Sequence, residues 1–217
     1  TGTTLEVWCG NQGPTIMRDK CAAAVGLDPE QVTIHTTLLG GGFGRRSEVD
    51  FGEIAAQVAQ KMQGTPVQVT WTREEDMSHD FYRPGAIGRY KGAVKDGKAV
   101  LLDGKVASPS VSQSALPRLM GLPAGGPDKV LVEGAFDQPY QIPNYRISGY
   151  VTDMQIPLGF WRSVGNSINA FMHDSFIDEL AHEANADPLE FRLDMMRNEH
   201  APSAAVLEAV RDMSGWT

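Results

Sequence analysis

Five parts of the chain alternate apolar with polar positions, which is the pattern of half-buried β-strands. They are TTLEVWC (3–9), QVTIHTTLL (31–39), TPVQVTW (65–71), the pair IGRYKGAVK and AVLLDGKVAS (87–95 and 99–108), and YRISGYVTDM (145–154). The paired runs flank the turn residues DGK, so they predict one long hairpin from Ile87 to Ser108.

Other stretches repeat apolar residues every three or four positions and predict α-helices. These stretches are 15–26, 48–64, 168–186, 188–198 and 203–213. Pro14 suits the first position of the first helix and Gly26 suits its end. Because strands and helices mix without strict β–α–β alternation, the predicted fold class is α+β (mixed α/β), with a long hairpin and a helical C-terminal part.

Residues 109–145 show no clear periodicity and are rich in Pro, Gly and Ser. A loop of this length inside a compact domain is usually functional or built against a partner. REEDM (73–77) is predicted to be a charged turn. We therefore expect a strand, glycine-loop, helix and hairpin part over 1–108, a long loop over 109–145, and a strand plus helical part over 146–217.

Composition excludes some functions without identifying one. The chain has 217 residues and a formal net charge of −8, which argues against a protein that binds nucleic acid by neutralising phosphates. No apolar run approaches the ~20 residues needed to span a bilayer. The opening TGTTLEVWCG lacks a signal-peptide pattern and already reads as a strand. We expect the sequence to be a fragment of a longer protein.

The stretch LLGGGFGRRSEVDF (38–51) carries the strongest candidate chemistry. Glycines at 40–42 and 44 allow positive φ angles and close approach of the backbone to a ligand. A helix predicted to begin near Ser47 would add unpaired N–H groups, and Arg45 and Arg46 would add positive charge. From the residues alone, this loop could bind a phosphorylated or oxyanionic small molecule, or it could be an ordinary connection before a helix.

Two features of the loop argue against a simple nucleotide site. No Gly-Lys-Ser/Thr closes the loop and the Rossmann spacing is absent. A phosphate cradle also has no need for the aromatic ring of Phe43. A phosphate-binding module without catalysis therefore remains one alternative, and a structural or interaction domain that docks its 109–145 loop onto a partner remains another.

Three segments together carry a family resemblance: GNQGP (10–14), GGGFG (40–44) and PLGFWRSVGNS (157–167). In this order and approximate separation they resemble the molybdopterin-binding large subunit of the molybdenum hydroxylases, the xanthine oxidase and aldehyde oxidoreductase family. The segments REEDM, GRYKG, YQIPNYRISGYV and HDSFIDELAHEANADPLEFRLDMM extend the resemblance over nearly the whole chain. The double arginine and the WRSVG motif look most like the isoquinoline 1-oxidoreductase β-subunit and membrane-associated aldehyde dehydrogenases. The resemblance implies the first molybdopterin-binding domain of such a subunit.

The resemblance also implies roles for individual residues. Gln12 falls where the family places a glutamine that hydrogen-bonds an oxygen ligand of molybdenum, and a neutral amide can donate such a bond without ligating the metal. Without the family, Gln12 could simply cap the turn before Pro14. Gly41, Gly42, Phe43 and Gly44 match the loop that brings backbone amides against the cofactor.

Phe43 and Arg162 complete the implied site. The ring of Phe43 would lie near the substrate channel, where it could hold a planar heterocycle; the alternative is a ring folded into the core. Arg162 matches the family's active-site arginine, whose guanidinium can stabilise negative charge on the substrate. Phe160 and Trp161 could line the pocket or belong to the core.

The chain departs from the family pattern at two places. Purine-hydroxylating relatives carry a glutamate where this chain has Ser47, and Glu48, one residue later on the predicted helix, would point about 100° away. This difference argues against purine recognition. The family's catalytic glutamate stands in a Gly-Glu motif far downstream of the matching segments, and no Gly-Glu pair follows residue 167 in these 217 residues. We therefore expect the isolated fragment to be inactive.

For the full enzyme, the resemblance implies oxidation of an aldehyde or N-heterocycle with water-derived oxygen. The implied cofactor is molybdopterin with molybdenum, in its cytosine dinucleotide form. The implied partners are the remainder of the same subunit and an iron–sulfur small subunit that accepts the electrons. Relatives of this bacterial type are often exported to the periplasm or cell envelope.

The remaining polar residues suggest no site. The five histidines are scattered, and only His173 with Asp174 has a spacing of interest, which we predict to be an exposed helix position. Asp174, Asp178, Glu179 and Glu183 are predicted to form a solvated helix face. We predict no metal site built from protein side chains.

Overall fold

The computed structural model describes residues 2–216, which form two compact units. The first unit combines the residues up to Arg83 with Val111–Gly125 and Gln155–Arg162. The second combines Pro84–Ser110, Gly126–Met154 and the residues from Ser163 onward. The predicted α+β class is confirmed.

The first unit is built on a parallel strand pair. Strands β1 (Leu5–Cys9) and β2 (Val32–Thr36) pair in register from Leu5↔Val32 to Cys9↔Thr36. Helix α1 (Pro14–Val25) connects them, with Pro14 in its first turn and Gly26 as its left-handed C-cap, as the sequence predicted. Helix α2 (Asp50–Lys61) packs on α1 so closely that a Cβ on Gly52 would lie 2.2 Å from the sulfur of Met17.

A buried apolar cluster fills the space between the strands and these helices. Its members are Val7, Met17, Cys21, Ala22, Val32, Val49 and Ala56. Two short helices complete the unit, α3 (Arg73–His79) and α4 (Val111–Met120).

Three predictions between residues 45 and 79 were wrong. The helix after the glycine loop begins at Asp50, preceded by a 3-10 turn at Arg45–Ser47. The predicted strand at 65–71 has no strand partner among residues 2–216. REEDM lies in a helix, because the Thr72 side chain caps it by accepting from the Glu75 N–H at 3.2 Å.

The predicted long loop over 109–145 contains α4 and a 3-10 turn at Lys129–Val132. Val111, Ala115 and Leu119 recur every fourth position and are buried. Pro117 within the helix obscured that period in the sequence.

The second unit is built on a three-stranded sheet. Strands β3 (Ile87–Lys95) and β4 (Lys98–Ser108) form the predicted hairpin, and β5 (Asn144–Val151) pairs parallel to β4. Asp96 and Gly97 both have positive φ angles (51° and 74°), which is the geometry of a tight hairpin turn. The predicted C-terminal helices are confirmed as α5 (Gly165–Glu183), α6 (Pro188–Met196) and α7 (Ala201–Ser214).

His173 lies in the core of the second unit, which corrects its predicted exposure on a helix face. Its ring is 1% exposed and stacks on Tyr140 at 5.8 Å between ring centroids. Tyr145 donates its hydroxyl proton to the carbonyl of Ala135, so its oxygen accepts from Nε2–H of His173 at 2.9 Å. Asp174 accepts from the Tyr140 hydroxyl at 2.8 Å. The other carboxylates of the predicted solvated face, Asp178, Glu179 and Glu183, are exposed as expected.

Among residues 2–216, no helix combines the length and the apolar composition that crossing a bilayer requires.

Candidate functional site

The turn at 10–13 and the loop at 37–44 leave β1 and β2 at the same end of the sheet, because the two strands are parallel. The amide of Asn11, buried at 4% exposure, ties the turn to the strand ends. Its nitrogen donates to Thr36 Oγ1 at 3.2 Å and to the Cys9 carbonyl at 3.3 Å, and its oxygen accepts from the Gly13 N–H at 3.1 Å. Gln12 is thereby presented at the carboxyl end of the strand pair.

Both the backbone and the side chain of Gln12 contact the glycine loop. Its backbone N–H donates to the Arg46 carbonyl at 2.9 Å. Its Oε1 accepts from the Gly44 N–H at 3.0 Å. Because a backbone N–H can only donate, this bond assigns the oxygen of the amide, and Nε2 is left as the outward donor. In the described part of the chain neither Nε2 hydrogen has a protein acceptor.

The loop glycines differ in what their surroundings permit. A Cβ on Gly42 would lie 2.4 Å from Gln12 Oε1. A Cβ on Gly44, whose φ is +87°, would lie 2.1 Å from the Phe160 carbonyl oxygen. A Cβ on Gly40 would have nothing within 4 Å. The backbone is therefore exposed at the start of the loop and tightly packed at its end.

Phe43 projects from the loop with 54% of its surface exposed, so its ring is not folded into the core. Its φ of 50° is a conformation that few non-glycine residues adopt. The ring lies over Gly41, since a Cβ there would come within 2.3 Å of Phe43 Cε2.

Arg162 joins the same loop through its backbone. Its N–H donates to the Phe43 carbonyl at 2.8 Å, and its carbonyl accepts from the Arg83 guanidinium at 2.9 Å. Arg162 itself is an exposed residue. The next two residues, Ser163 and Val164, have positive φ angles of 68° and 41°, and such strain concentrates at functional sites. The structure thus brings Gln12, the 40–44 loop and Arg162 together through direct hydrogen bonds.

Residues 81–83 form hydrogen bonds with the segment 157–162, which carries Arg162. The Tyr82 N–H donates to the Pro157 carbonyl at 3.0 Å, and the Gly159 N–H donates to the Tyr82 carbonyl at 3.1 Å. The indole N–H of Trp161 donates to the Phe81 carbonyl at 2.7 Å. Phe160 packs on the buried cluster around α4, so core packing accounts for this residue.

Glu48, which is buried, and Arg118, which is partly buried, form an ion pair that also contacts this segment. The Arg118 guanidinium donates to both carboxylate oxygens, at 3.1 and 2.7 Å, and to the Leu158 carbonyl at 3.0 Å. It also lies 3.9 Å from the centroid of the Phe81 ring. Glu48 lies before α2 in extended backbone, not on the helix as predicted. Its carboxylate is 4% exposed and supports the site through its two hydrogen bonds from Arg118.

The positive charge of the loop differs from the prediction. Arg45 is neutralised by three carboxylates, with Asp50 at 3.1 Å, Asp80 at 2.5 Å and Asp76 at 3.8 Å. Burial raises the pKa of Asp80, against the lowering effects of the Phe81 N–H and of Arg45. Arg46 is exposed, with its guanidinium 5.0 Å from the Phe51 ring centroid and no carboxylate within 4.0 Å among residues 2–216. Of the two loop arginines, Arg46 is therefore the cation that an anion at this loop would meet.

Sequence reasoning missed the residues that hold the site together. Asn11 could have been recognised, because Asn two residues before Gly is a common side-chain-to-backbone turn. Arg83, Arg118 and the supporting role of Glu48 gave no local signal. No group of three or more His, Cys, Asp or Glu side chains within the described residues could hold a metal ion.

Comparison with protein families matches residues 1–196 to the molybdopterin cofactor-binding domain. The chain belongs to this family. The predicted resemblance to molybdenum hydroxylases is thereby confirmed, and the site lies in the part of the chain that the family match covers.

Two curated relatives and one solved structure illustrate the similarity. The chain is 31% identical over 215 residues to the isoquinoline 1-oxidoreductase subunit beta of Brevundimonas diminuta, covering 98% of this chain and 27% of that protein. It is 26% identical over 200 residues to the membrane-bound aldehyde dehydrogenase (pyrroloquinoline-quinone) of Gluconacetobacter polyoxogenes, covering 89% and 26%. It matches the crystal structure of quinoline 2-oxidoreductase from Pseudomonas putida 86 with a TM-score of 0.75 and 17% identity, covering 97% of this chain and 28% of that one.

At 17% identity the structural match shows the fold alone. This molybdopterin cofactor-binding domain spans about a quarter of the length of the curated relatives it matches.

Proposed function

We propose that this chain forms one wall of the molybdenum-cofactor site in a larger oxidoreductase subunit. The full protein would oxidise or hydroxylate an aldehyde or an N-heterocycle with water-derived oxygen. The observation that carries the proposal is the direct hydrogen bonding of Gln12 to Gly44 and of Arg162 to Phe43, at 3.0 and 2.8 Å. Family membership supports the choice of cofactor.

The residues present suit a flat, polar, anionic cofactor. Gly40 leaves open space where a side chain would stand, so the backbone can approach a ligand closely. Arg46 provides a cation beside the loop, and the Nε2 group of Gln12 provides an outward donor. When bound, the molybdenum cofactor would supply the two-electron oxidation and deliver the oxygen atom.

Each side chain of the wall would then have a distinct task. Gln12 would donate a hydrogen bond toward the oxygen-bearing side of the cofactor without ligating the metal. The guanidinium of Arg162 would stabilise negative charge that develops on the substrate. The exposed ring of Phe43 would hold a planar substrate by stacking and exclude water from it.

Further parts of the proposal concern what lies outside this chain. The catalytic glutamate would come from the remainder of the same subunit, and the electrons would leave through an iron–sulfur partner subunit. The cofactor would be the cytosine dinucleotide form. The isolated chain would then be inactive even with cofactor supplied, and sustained aldehyde oxidation by the chain alone would contradict this part.

The proposal is tested by replacing Arg162 with Met in the full-length subunit assembled with its partner. We expect kcat for an aldehyde or N-heterocycle to fall by about 10²–10³-fold, because one charge-stabilising group is removed. The molybdenum content, measured by elemental analysis, should stay unchanged. An Arg46→Met variant is the matched control for loss of a neighbouring cation, and its kcat should fall much less.

Two results would contradict the proposed function. The first is a full-length subunit that contains no molybdenum after expression with cofactor supply. The second is an Arg162→Met variant with wild-type kcat. Micromolar binding of inorganic phosphate by a molybdenum-free protein would instead favour the phosphate-binding module.

A further inference from the structure

A cavity of about 990 Å³ in the first unit borders β1. One wall is the run of consecutive residues from Thr4 to Cys9, and the opposite wall is the run from Gln63 to Arg73. No residue of β2 lines the cavity, so the cavity lies beside the edge of β1 that faces away from β2. Its volume is at the upper end of the roughly 300–1,000 Å³ typical of small-molecule pockets.

The cavity meets the backbone edge of β1. A cavity above one face of a strand is lined by alternate residues, because successive side chains point to opposite faces. Six consecutive residues, including all of β1, line this one.

The hydrogen-bonding direction of each β1 residue follows from one bond. The Thr37 N–H donates to the Cys9 carbonyl at 3.2 Å, so the polar backbone groups of Cys9 point to β2. The polar groups of one strand residue point to the same side, and those of its neighbours point to the other side. Val7 therefore also points to β2, whereas Glu6 and Trp8 direct their N–H and C=O groups into the cavity.

The segment on the opposite wall has the alternating sequence of a strand, but it is not paired with another strand. In TPVQVTW, Val67, Val69 and Trp71 are partly buried while Gln68 and Thr70 are exposed. No strand partner for this segment exists among residues 2–216. The α2 residues that line the cavity include Phe51 and the small side chains Ala55, Ala56 and Ala59, which leave room for a backbone to pass over the helix.

We propose that a β-strand from the part of the subunit outside these 217 residues occupies this cavity. It would pair with the free edge of β1 and with the 65–71 segment, so that the two-stranded sheet becomes the start of a larger one. Its side chains would alternate, with apolar ones directed to α2. The proposal rests on the proposed function only in that the chain is part of a longer subunit; its curated relatives are long enough, since the chain covers 27% and 26% of them.

Hydrogen–deuterium exchange of the full-length subunit, resolved to single residues, tests this inference. We expect the amides of Glu6 and Trp8 to exchange at least about 100-fold more slowly than an unstructured reference, because each would donate to the added strand. The Val7 amide, which points to β2, should be protected in any case and serves as the control within the same strand. Fast exchange at Glu6 and Trp8 alongside slow exchange at Val7 would overturn the proposal.

The identity of the occupant is tested with a short cleavable photocrosslinker attached to an Ala59→Cys variant of the full-length subunit. We expect the crosslinked peptide to come from the same polypeptide, outside residues 1–217, at every protein concentration. A Gln57→Cys variant on the exposed side of α2 should not capture that peptide. Crosslinking that requires high concentration, which indicates a second copy, or crosslinking to a different protein would overturn the proposal.

Both experiments are run with and without cofactor. Protection of Glu6 and Trp8 in a subunit that never binds molybdenum would contradict the proposed function and leave this inference standing. An active molybdenum enzyme with fast exchange at both residues would overturn this inference and leave the proposed function standing.

Discussion

Gly42 and Gly44 lack side chains for two different physical reasons. A side chain at position 42 is excluded by the Gln12 amide, because a Cβ there would lie 2.4 Å from Gln12 Oε1. Gly44 adopts a left-handed φ of +87° and also packs against the Phe160 carbonyl. The loop therefore depends on contacts with residues far away in the sequence as much as on backbone freedom.

A Gly42→Ala substitution in the full-length subunit should displace the Gln12 amide and break its bond to Gly44. We expect kcat/KM to fall by about 100-fold, the scale of an ångström-sized misplacement in an active site. Steady-state kinetics and molybdenum analysis measure the effect. Gly125→Ala, outside the loop, is the control for a glycine-to-alanine change and should be near neutral, since its Cβ meets nothing within 4 Å. Equal effects of the two variants would refute this account of the loop.

Two partly buried tyrosines, on the two outer strands of the three-stranded sheet, differ in how their hydroxyls are satisfied. The hydroxyl of Tyr90 is buried and has no hydrogen-bond partner within the described residues. The hydroxyl of Tyr145 donates to Ala135 and accepts from His173. A buried polar group without a partner destabilises a protein, whereas a satisfied one becomes costly only when its partner is removed.

Replacing each tyrosine by phenylalanine should therefore have opposite effects. Tyr145→Phe leaves two buried groups unpaired and should lower the free energy of unfolding by about 1–3 kcal/mol. Tyr90→Phe removes only the unpaired hydroxyl and should be neutral or stabilising by up to about 1 kcal/mol. Denaturant unfolding of both variants measures the difference. A larger loss for Tyr90→Phe than for Tyr145→Phe would contradict the assignment of these bonds.

At the scale of elements, the Glu48–Arg118 pair connects α4 with the start of α2 and with the segment that carries Arg162. The carboxylate is 4% exposed and the guanidinium 30% exposed. Removing one partner of such a pair leaves a charge without compensation in a poorly solvated place. This connection is longer than any that local sequence patterns can reveal, since it joins residues 48, 118 and 158.

A Glu48→Met variant should lose about 2–3 kcal/mol of stability, somewhat less than a fully buried pair would, because Arg118 keeps partial access to water. The double variant Glu48→Met and Arg118→Met should recover much of that loss, since no uncompensated charge remains. Thermal or denaturant unfolding of Glu48→Met, Arg118→Met and the double variant provides the double-mutant cycle. Strictly additive losses would show that the two residues are not coupled.

At the scale of the whole molecule, the buried tyrosines make stability depend on alkaline pH. Burial raises the pKa of Tyr90 to about 12. Burial also raises the pKa of Tyr140, with the charge of Asp174 adding to it, and raises the pKa of Tyr145. The folded protein therefore retains these phenol protons at a pH where the unfolded chain, with pKa values near about 10, has already lost them.

The stability contributed by these groups should be fully present below about pH 10 and should decrease as the pH rises toward 12. The sign follows because the folded state then binds more protons than the unfolded state. Unfolding measured over this range, together with tyrosinate absorbance, tests the prediction. Tyr90→Phe should reduce the pH dependence. A free energy of unfolding that stays constant from pH 10 to 12 would contradict it.

Local periodicity predicted those elements whose apolar residues recur within a few positions. Helix α1 between Pro14 and Gly26, the hairpin around Asp96–Gly97, and helices α5 to α7 all have this property, and the structure contains them. The segment 65–71 also has strand periodicity, but a strand requires hydrogen bonds from a neighbour, and no neighbour lies among the described residues. Pattern alone cannot supply that partner.

The amino-acid sequence by itself determined the class of the fold, the helices and hairpin with local periods, and the residue types of the candidate site. It could not determine which of those residues touch. The tertiary structure decided that Gln12 bonds to Gly44, that Arg162 bonds to Phe43, that three carboxylates neutralise Arg45 and that His173 is buried. The physical reason is range: short periods record burial along one element, whereas hydrogen bonds and ion pairs depend on how distant elements pack.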